Sequence, residues 1–299
     1  LTEMLKIAGY QAHFTWIGTK HIPYDHSVPA MCVDNHAITT LYFKGKEYFL
    51  DGTEKYAPFG ENAFRIQGKS ALIEKGENFD EKKVPVSNAA ENKMKTTATL
   101  TLSEGALKGH VKVMMAGEER KDFHNYYQAI PKHAQQDYLK EMLEFGNNNL
   151  TAANVKTSDL NNREIPVEFE GDIDLTNNIN VIGENQYVGI DFFPKNLRSY
   201  MPDEKRTRGY DFESVFSYED EIELVLPAGK KCIDLPAKMV VDNAAYAFSG
   251  SYELTGNKVK LKKTLTLKDS VIPADQLAAW KNFLEQLKEF NSYLLTVTK

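Results

Sequence analysis

The sequence predicts an α+β fold in two parts. Three observations point there: a helical start feeding a strand and a β-hairpin, a polar stretch over 82–95, and then short alternating strands interrupted by one helical segment and followed by a C-terminal helix. The expected domains are 1–84 and 85–299, the second a mainly antiparallel β-sandwich. With 299 residues the chain accommodates two domains of about 100 to 200 residues each. Hydrophobic residues at 42% and charged residues at 26% are the composition of a packed globular protein.

"LTEMLKIAGY" opens with Leu1, Met4, Leu5 and Ala8 at helical spacing, with no capping residue or proline before them. This start, at Leu rather than Met, predicts a fragment that begins inside a helix, where a signal peptide upstream would be hidden. Gly9 is the expected helix cap, and "QAHFTWIGT" (11–19) the first strand. "KHIPYDHSVPAM", with two prolines, is a loop, and the hairpin occupies 36–51. Pro58, Gly60 and Gly68 mark a second loop before the short strand "SALIE".

Beyond the polar stretch, Ala98, Leu100 and Leu102 alternate with Thr97, Thr99 and Thr101, and a glycine-containing turn leads to a second alternating run. Residues 118–147 turn helical, with Tyr138, Met142 and Phe145 on one side and Gly146 at the end. "IPVEFEGDIDL", "QYVGIDFF", "YDFESVFSYEDEIELVLP", "AYAFSGSYEL" and "NKVKLKKTLTL" return to period two. In the last of these Lys258, Lys260 and Lys262 share one face, which fits a solvated sheet surface or an anionic ligand site. Pro273 then begins a helix with the stripe Leu277, Trp280, Leu284 and Leu287, and "SYLLTVT" is a final strand.

The net charge of −6, without a basic helix face, argues against nucleic acid as a partner. No apolar run approaches the roughly 18 residues of a membrane span, so no transmembrane segment is expected. Cys32 and Cys232 have no metal-ligand spacing, and His21, His26 and His36 lack a supporting acidic cluster. Neither a metal nor a cofactor is predicted.

The hairpin carries the chemistry. With a two-residue turn at Lys44-Gly45 or Gly45-Lys46, facing residues have numbers summing to 89 or 91, and either register puts His36 and Asp51 on one face. In the tighter register they are diagonal neighbours, about 7 to 8 Å apart at the backbone and within side-chain reach. A carboxylate beside imidazole fixes its tautomer and stabilises the imidazolium, as a general base serving a Ser or Cys nucleophile requires. The same residues also fit a strand-end histidine and an ordinary turn aspartate in "DGT". Cys32, four residues before His36, has no helix N-terminus to activate it and reads as an incidental thiol.

"NHA", "FLDGTEKY", "PFGE" and "RIQGKSALIE", in that order, resemble the second half of the transglutaminase-like core of Bacteroidetes-type proteins of the DUF3857/DUF3858 kind. The stretch from "DEIELVLPAGKKCIDLP" to "NSYLLTV" resembles the C-terminal module of the same family. The resemblance implies a truncated papain-like core with a Cys-His-Asp triad, in which His36 is the general base and Asp51 its orienter. It places the nucleophilic Cys just upstream of Leu1, so this chain lacks it and is expected to be inactive alone.

The implied function is the C-terminal portion of a cysteine-dependent acyl-transfer enzyme, either a peptide or amide hydrolase or a transglutaminase. Its partners would be a peptide or protein substrate and the N-terminal remainder of the same protein, in the cell envelope or periplasm. The alternative is a non-catalytic envelope-binding or scaffolding module with a degenerate core.

Overall fold

The computed structural model describes residues 1–103, 105–193, 195 and 197–299. They divide into two compact units, Leu1–Asn88 with Asn162–Ile165, and Ala89–Asn161 with Pro166–Lys299. The protein is strand-rich, its sheets mainly antiparallel, with a helix near the C-terminus.

In the first unit, α1 (Thr2–Ile7) precedes β1 (Gln11–Ile17), β2 (His36–Phe43), β3 (Lys46–Leu50), β4 (Ser70–Lys75) and β5 (Asn78–Lys83). The strands form one antiparallel sheet in the order β3-β2-β1-β4-β5. Register aligns Ile17, Ile38, Phe49, Ala71 and Ile73 on one face, where Ala63, Ile66 and Val84 from the connecting segments complete a small core. The Thr2 hydroxyl of α1 pairs with that of Thr39, which register assigns to the opposite face.

β5 overlaps the stretch read as polar linker from 82. As an edge strand with every side chain exposed, it has no buried face and therefore no alternation to read.

The second unit begins with β6 (Lys93–Ser103) and β7 (Ala106–Met115), so the strand pattern starts inside the same polar stretch. The helical region is two helices, α2 (Glu118–Ala129) and α3 (Gln135–Glu144), because Pro131 interrupts it. Leu139 and Leu143 are the buried residues of α3, flanked by the partly buried Tyr138, Met142 and Phe145.

Next come β8 (Leu150–Thr157), β9 (Val167–Leu175), β10 (Ile179–Ile182), β11 (Asn185–Val188), β12 (Tyr210–Asp211) and β13 (Phe216–Val225). They are followed by β14 (Lys231–Asp234), β15 (Met239–Asp242), β16 (Tyr246–Thr255), β17 (Lys258–Leu267), β18 (Val271–Ile272), α4 (Leu277–Asn291) and β19 (Leu295–Thr298). Eight strands make the main sheet, ordered β15-β16-β17-β13-β6-β7-β9-β8, with β13 and β6 the parallel neighbours. A second sheet runs β10-β11-β19-β14.

The expected sandwich takes a mixed form. The inner face of the main sheet is covered by helices as well as by strands: Phe123 of α2 stacks on Phe169, and Trp280, Phe283 and Phe290 of α4 pack on Tyr246 and Phe248. Val188, Leu295 and Val297 of the second sheet join the same core. The outer face is a charge ladder in which Lys258 pairs with Glu223, Lys260 with Glu221 and Lys262 with Glu253. This is the solvated-face arrangement: each lysine of the trio has a carboxylate partner.

Candidate functional site

The β2–β3 hairpin positions the site. Lys44 and Gly45 both have positive φ, 50° and 74°, the signature of a type I′ turn whose twist matches the flanking strands. This turn sets Phe43 opposite Lys46 and Thr39 opposite Leu50, the register whose residue numbers sum to 89. Lys44 occupies a left-handed conformation that favours glycine or asparagine, whereas Gly45 adopts it without a Cβ penalty.

At the open end of the hairpin, His36 Nε2 and Asp51 Oδ2 are 2.9 Å apart. The Asp51 side chain is 2% exposed and that of His36 17%. The Thr53 N–H and hydroxyl donate to Asp51 Oδ1 at 3.0 and 2.7 Å, and Arg65 Nη2 donates to Oδ2 at 2.8 Å. Arg65 also contacts the Thr53 hydroxyl and, through Nη1, Glu54 at 2.6 Å. Burial pushes the Asp51 pKa upward, but the hydrogen bonds from Thr53, His36 and Arg65 outweigh it and hold the carboxyl below its ordinary range.

An ionised carboxylate only accepts hydrogen bonds, so the contact assigns the proton of neutral His36 to Nε2. Nδ1 then carries the lone pair, and it makes no hydrogen bond among the described residues. An imidazole held this way can accept a proton at Nδ1 and stabilise the resulting charge through Asp51.

The neighbouring polar residues have other partners. Asn35 holds the loop after β1, accepting from the Thr19 N–H at 2.9 Å and donating to its hydroxyl at 3.1 Å. His26 is bound to Asp34, and His21 is exposed, so the three histidines do not form one cluster. Among the described residues no group of three or more His, Cys, Asp or Glu is arranged to hold a metal. Cys32 is an exposed free thiol and Cys232 a buried one. A groove of about 730 Å³ lined by Phe14, Trp16, Met31, Leu72 and Phe79 uses the sheet face opposite that of Ile17 and Ile38, and His36 is not part of it.

Arg65 and Thr53 are the members of the site that sequence reasoning missed. Arg65 sits in a short 3-10 turn, Phe64–Ile66, beside the fully buried Ile66. A lone arginine in the apolar stretch "AFRIQG" was the available signal, since a guanidinium among buried neighbours needs a carboxylate.

Comparison with known proteins bears on the fold. No curated protein matches the chain. A crystal structure of a "putative protease" from Parabacteroides distasonis superposes with a TM-score of 0.51 at 9% identity, over 99% of this chain and 42% of that one. The chain therefore spans about two fifths of the length of that relative, and the likeness speaks to fold alone. Residues 184–296 match the family DUF3858, described as a "Domain of Unknown Function with solved-structure structure".

Proposed function

We propose that the first unit belongs to the core of a cysteine-dependent acyl-transfer enzyme of the transglutaminase-like, papain-like class. His36 is its general base, Asp51 the orienter, and Arg65 and Thr53 hold Asp51 in place. The observation that carries this reading is the His36 Nε2 to Asp51 Oδ2 contact of 2.9 Å with Nδ1 left unbonded. The nucleophile in this reading is a cysteine on a segment preceding Leu1, the substrate a peptide or protein, and the setting the cell envelope. The protease-like neighbour agrees with this class.

In the reaction, Nδ1 takes the thiol proton to form a thiolate–imidazolium pair, the thiolate attacks a carbonyl carbon, and the imidazolium returns the proton to the leaving amine. Asp51 keeps the ring oriented and its positive charge compensated throughout.

The test uses the longer natural protein in a Cys32→Ser background, because the exposed Cys32 thiol would otherwise react with any thiol probe. A thiol-directed electrophile at near-neutral pH should label one upstream cysteine, and His36→Ala should reduce that labelling and peptide turnover by about 100-fold or more. Absence of an upstream cysteine, or labelling unchanged in His36→Ala, refutes the enzyme reading and favours a binding module.

A further inference from the structure

Alternation in β17 places Val259, Leu261, Leu265 and Leu267 in the core, and Lys263 falls in the same inward series at 5% exposure. Its cross-strand neighbour in β13 is Asp220, also inward-facing and 4% exposed. On its other side stands Gly250, where a Cβ would come within 2.6 Å of the Phe290 ring. That glycine lets the end of α4 settle directly over the lysine.

Four groups converge there. Lys263 Nζ is 2.6 Å from Asp191 Oδ2, 3.3 Å from the side-chain oxygen of Asn291 and 3.5 Å from Asp220 Oδ2. Asp191 and Lys263 side chains are 2% and 3% exposed, and Asn291 is 8% exposed. Asp191 Oδ1 and Asn291 Nδ2 are buried with no hydrogen-bond partner among the described residues. Burial pushes the Asp191 carboxyl upward, against the neighbouring lysine.

Two lysines, Lys263 and the neighbouring Lys195, and two carboxylates in a dry core are costly, and a carboxamide is not needed to balance their charges. An amine that touches both a carboxamide oxygen and a buried carboxyl group brings together the reactants and the acid–base catalyst of transamidation. Desolvation favours proton transfer from ammonium to carboxylate, which frees the amine as a nucleophile. Fixed proximity in the core supplies the large effective concentration that an uncatalysed amide exchange lacks.

We propose that Lys263 and Asn291 form an intramolecular isopeptide bond, with Asp191 as the proton carrier. Proton transfer from the Lys263 ammonium leaves a neutral amine, whose nitrogen attacks Asn291 Cγ while Asp191 protonates the amide oxygen. Asp191, now a carboxylate, takes the extra proton from the attached lysine nitrogen and passes it to Nδ2; the Cγ–Nδ2 bond breaks, ammonia leaves and takes up the hydroxyl proton as the carbonyl re-forms, so that overall Lys-NH3⁺ and the carboxamide become a secondary amide and ammonium. No oxidant or reductant takes part. The bond would tie strand β17 to the last turn of α4, removing the lysine's buried charge.

The test is the intact mass of this chain, denatured after a prolonged incubation in the folded state. The expected value is about 17 Da below the formula mass, the loss of one ammonia, with a branched tryptic peptide joining Lys263 to Asn291 and no cleavage at Lys263. Asp191→Asn and Lys263→Met should retain the full mass, their folding checked by circular dichroism. The wild-type mass decides even where a variant fails to fold: full formula mass overturns the proposal. A deficit that persists in Lys263→Met marks an asparagine succinimide elsewhere, and an 18 Da deficit mapped to Lys263 and Asp191 marks the wrong acyl donor; either result overturns it as well.

Discussion

Two histidine–aspartate pairs in the first unit share their chemistry and differ in their surroundings. His26 Nε2 meets both oxygens of Asp34 at 3.0 and 3.1 Å, with both side chains 2% exposed. His36 meets one oxygen of Asp51, whose remaining acceptor sites are taken by Thr53 and Arg65. Burial raises the pKa of Asp34 despite His26 and Lys69, whereas the fuller set of donors lowers that of Asp51. Donor supply, rather than the presence of a histidine, decides the sign.

The free ring nitrogens differ as well. Nδ1 of His26 is buried without a partner among the described residues, while the His36 ring is partly open to solvent. His26 sits at a positive φ of 59°, in a loop whose Ile22 and Tyr24 carbonyls are held by Lys69. The first pair fastens a loop, and the second presents an imidazole.

The largest effect that separates the pairs is on stability. His26→Ala strands a buried carboxylate and should cost about 3 kcal/mol or more, read from the urea midpoint. His36→Ala should cost only about 1 kcal/mol, because Asp51 keeps Thr53 and Arg65. Equal losses would erase the distinction.

Arg65→Met tests the donor argument more finely. It should cost roughly 1 to 2 kcal/mol and move the Asp51 pKa back up toward its ordinary value, so that the part of the stability lost on acidification below about pH 4 is smaller than in the parent. An unchanged acid limb would show that Thr53 and His36 suffice.

Substitution by asparagine should give opposite pH dependences. A lowered folded-state pKa means Asp51 contributes stability above the ordinary value of 3.8 and loses it as pH falls through the lowered one, so the advantage of the parent over Asp51→Asn shrinks in acid. A raised folded-state pKa means Asp34 contributes most below 3.8 and loses that contribution as pH rises through the raised value. The balance between the parent and Asp34→Asn should therefore shift toward the variant on raising the pH. Parallel curves would contradict the comparison.

The smallest effect concerns the turn that sets the register. Lys44→Asn relieves a left-handed lysine and should stabilise the hairpin by about 0.5 to 1 kcal/mol, with no change in the His36–Asp51 geometry as followed by NMR.

Elements with one buried face were readable from the amino-acid order. The α4 stripe and the β6–β7 hairpin follow from a period that burial imposes, and the shared face of His36 and Asp51 follows once the turn is two residues long. β8 escaped because a register shift between Ala153 and Lys156, with Asn154 at positive φ, breaks its alternation. β5 and β15 escaped as sheet edges, and β10 as the end of the small sheet.

By itself, then, the sequence determined the helical and strand periods and the hairpin, with its parity conditional on a two-residue turn. Tertiary structure decided what parity leaves open: the choice of the Lys44-Gly45 turn, the arrival of Arg65 from 14 residues beyond Asp51, and the convergence of Asp191, Asp220, Lys263 and Asn291 in one core. Local pattern records which side of an element is dry. Which charges meet there depends on chain segments far apart in sequence, whose encounter is set by packing.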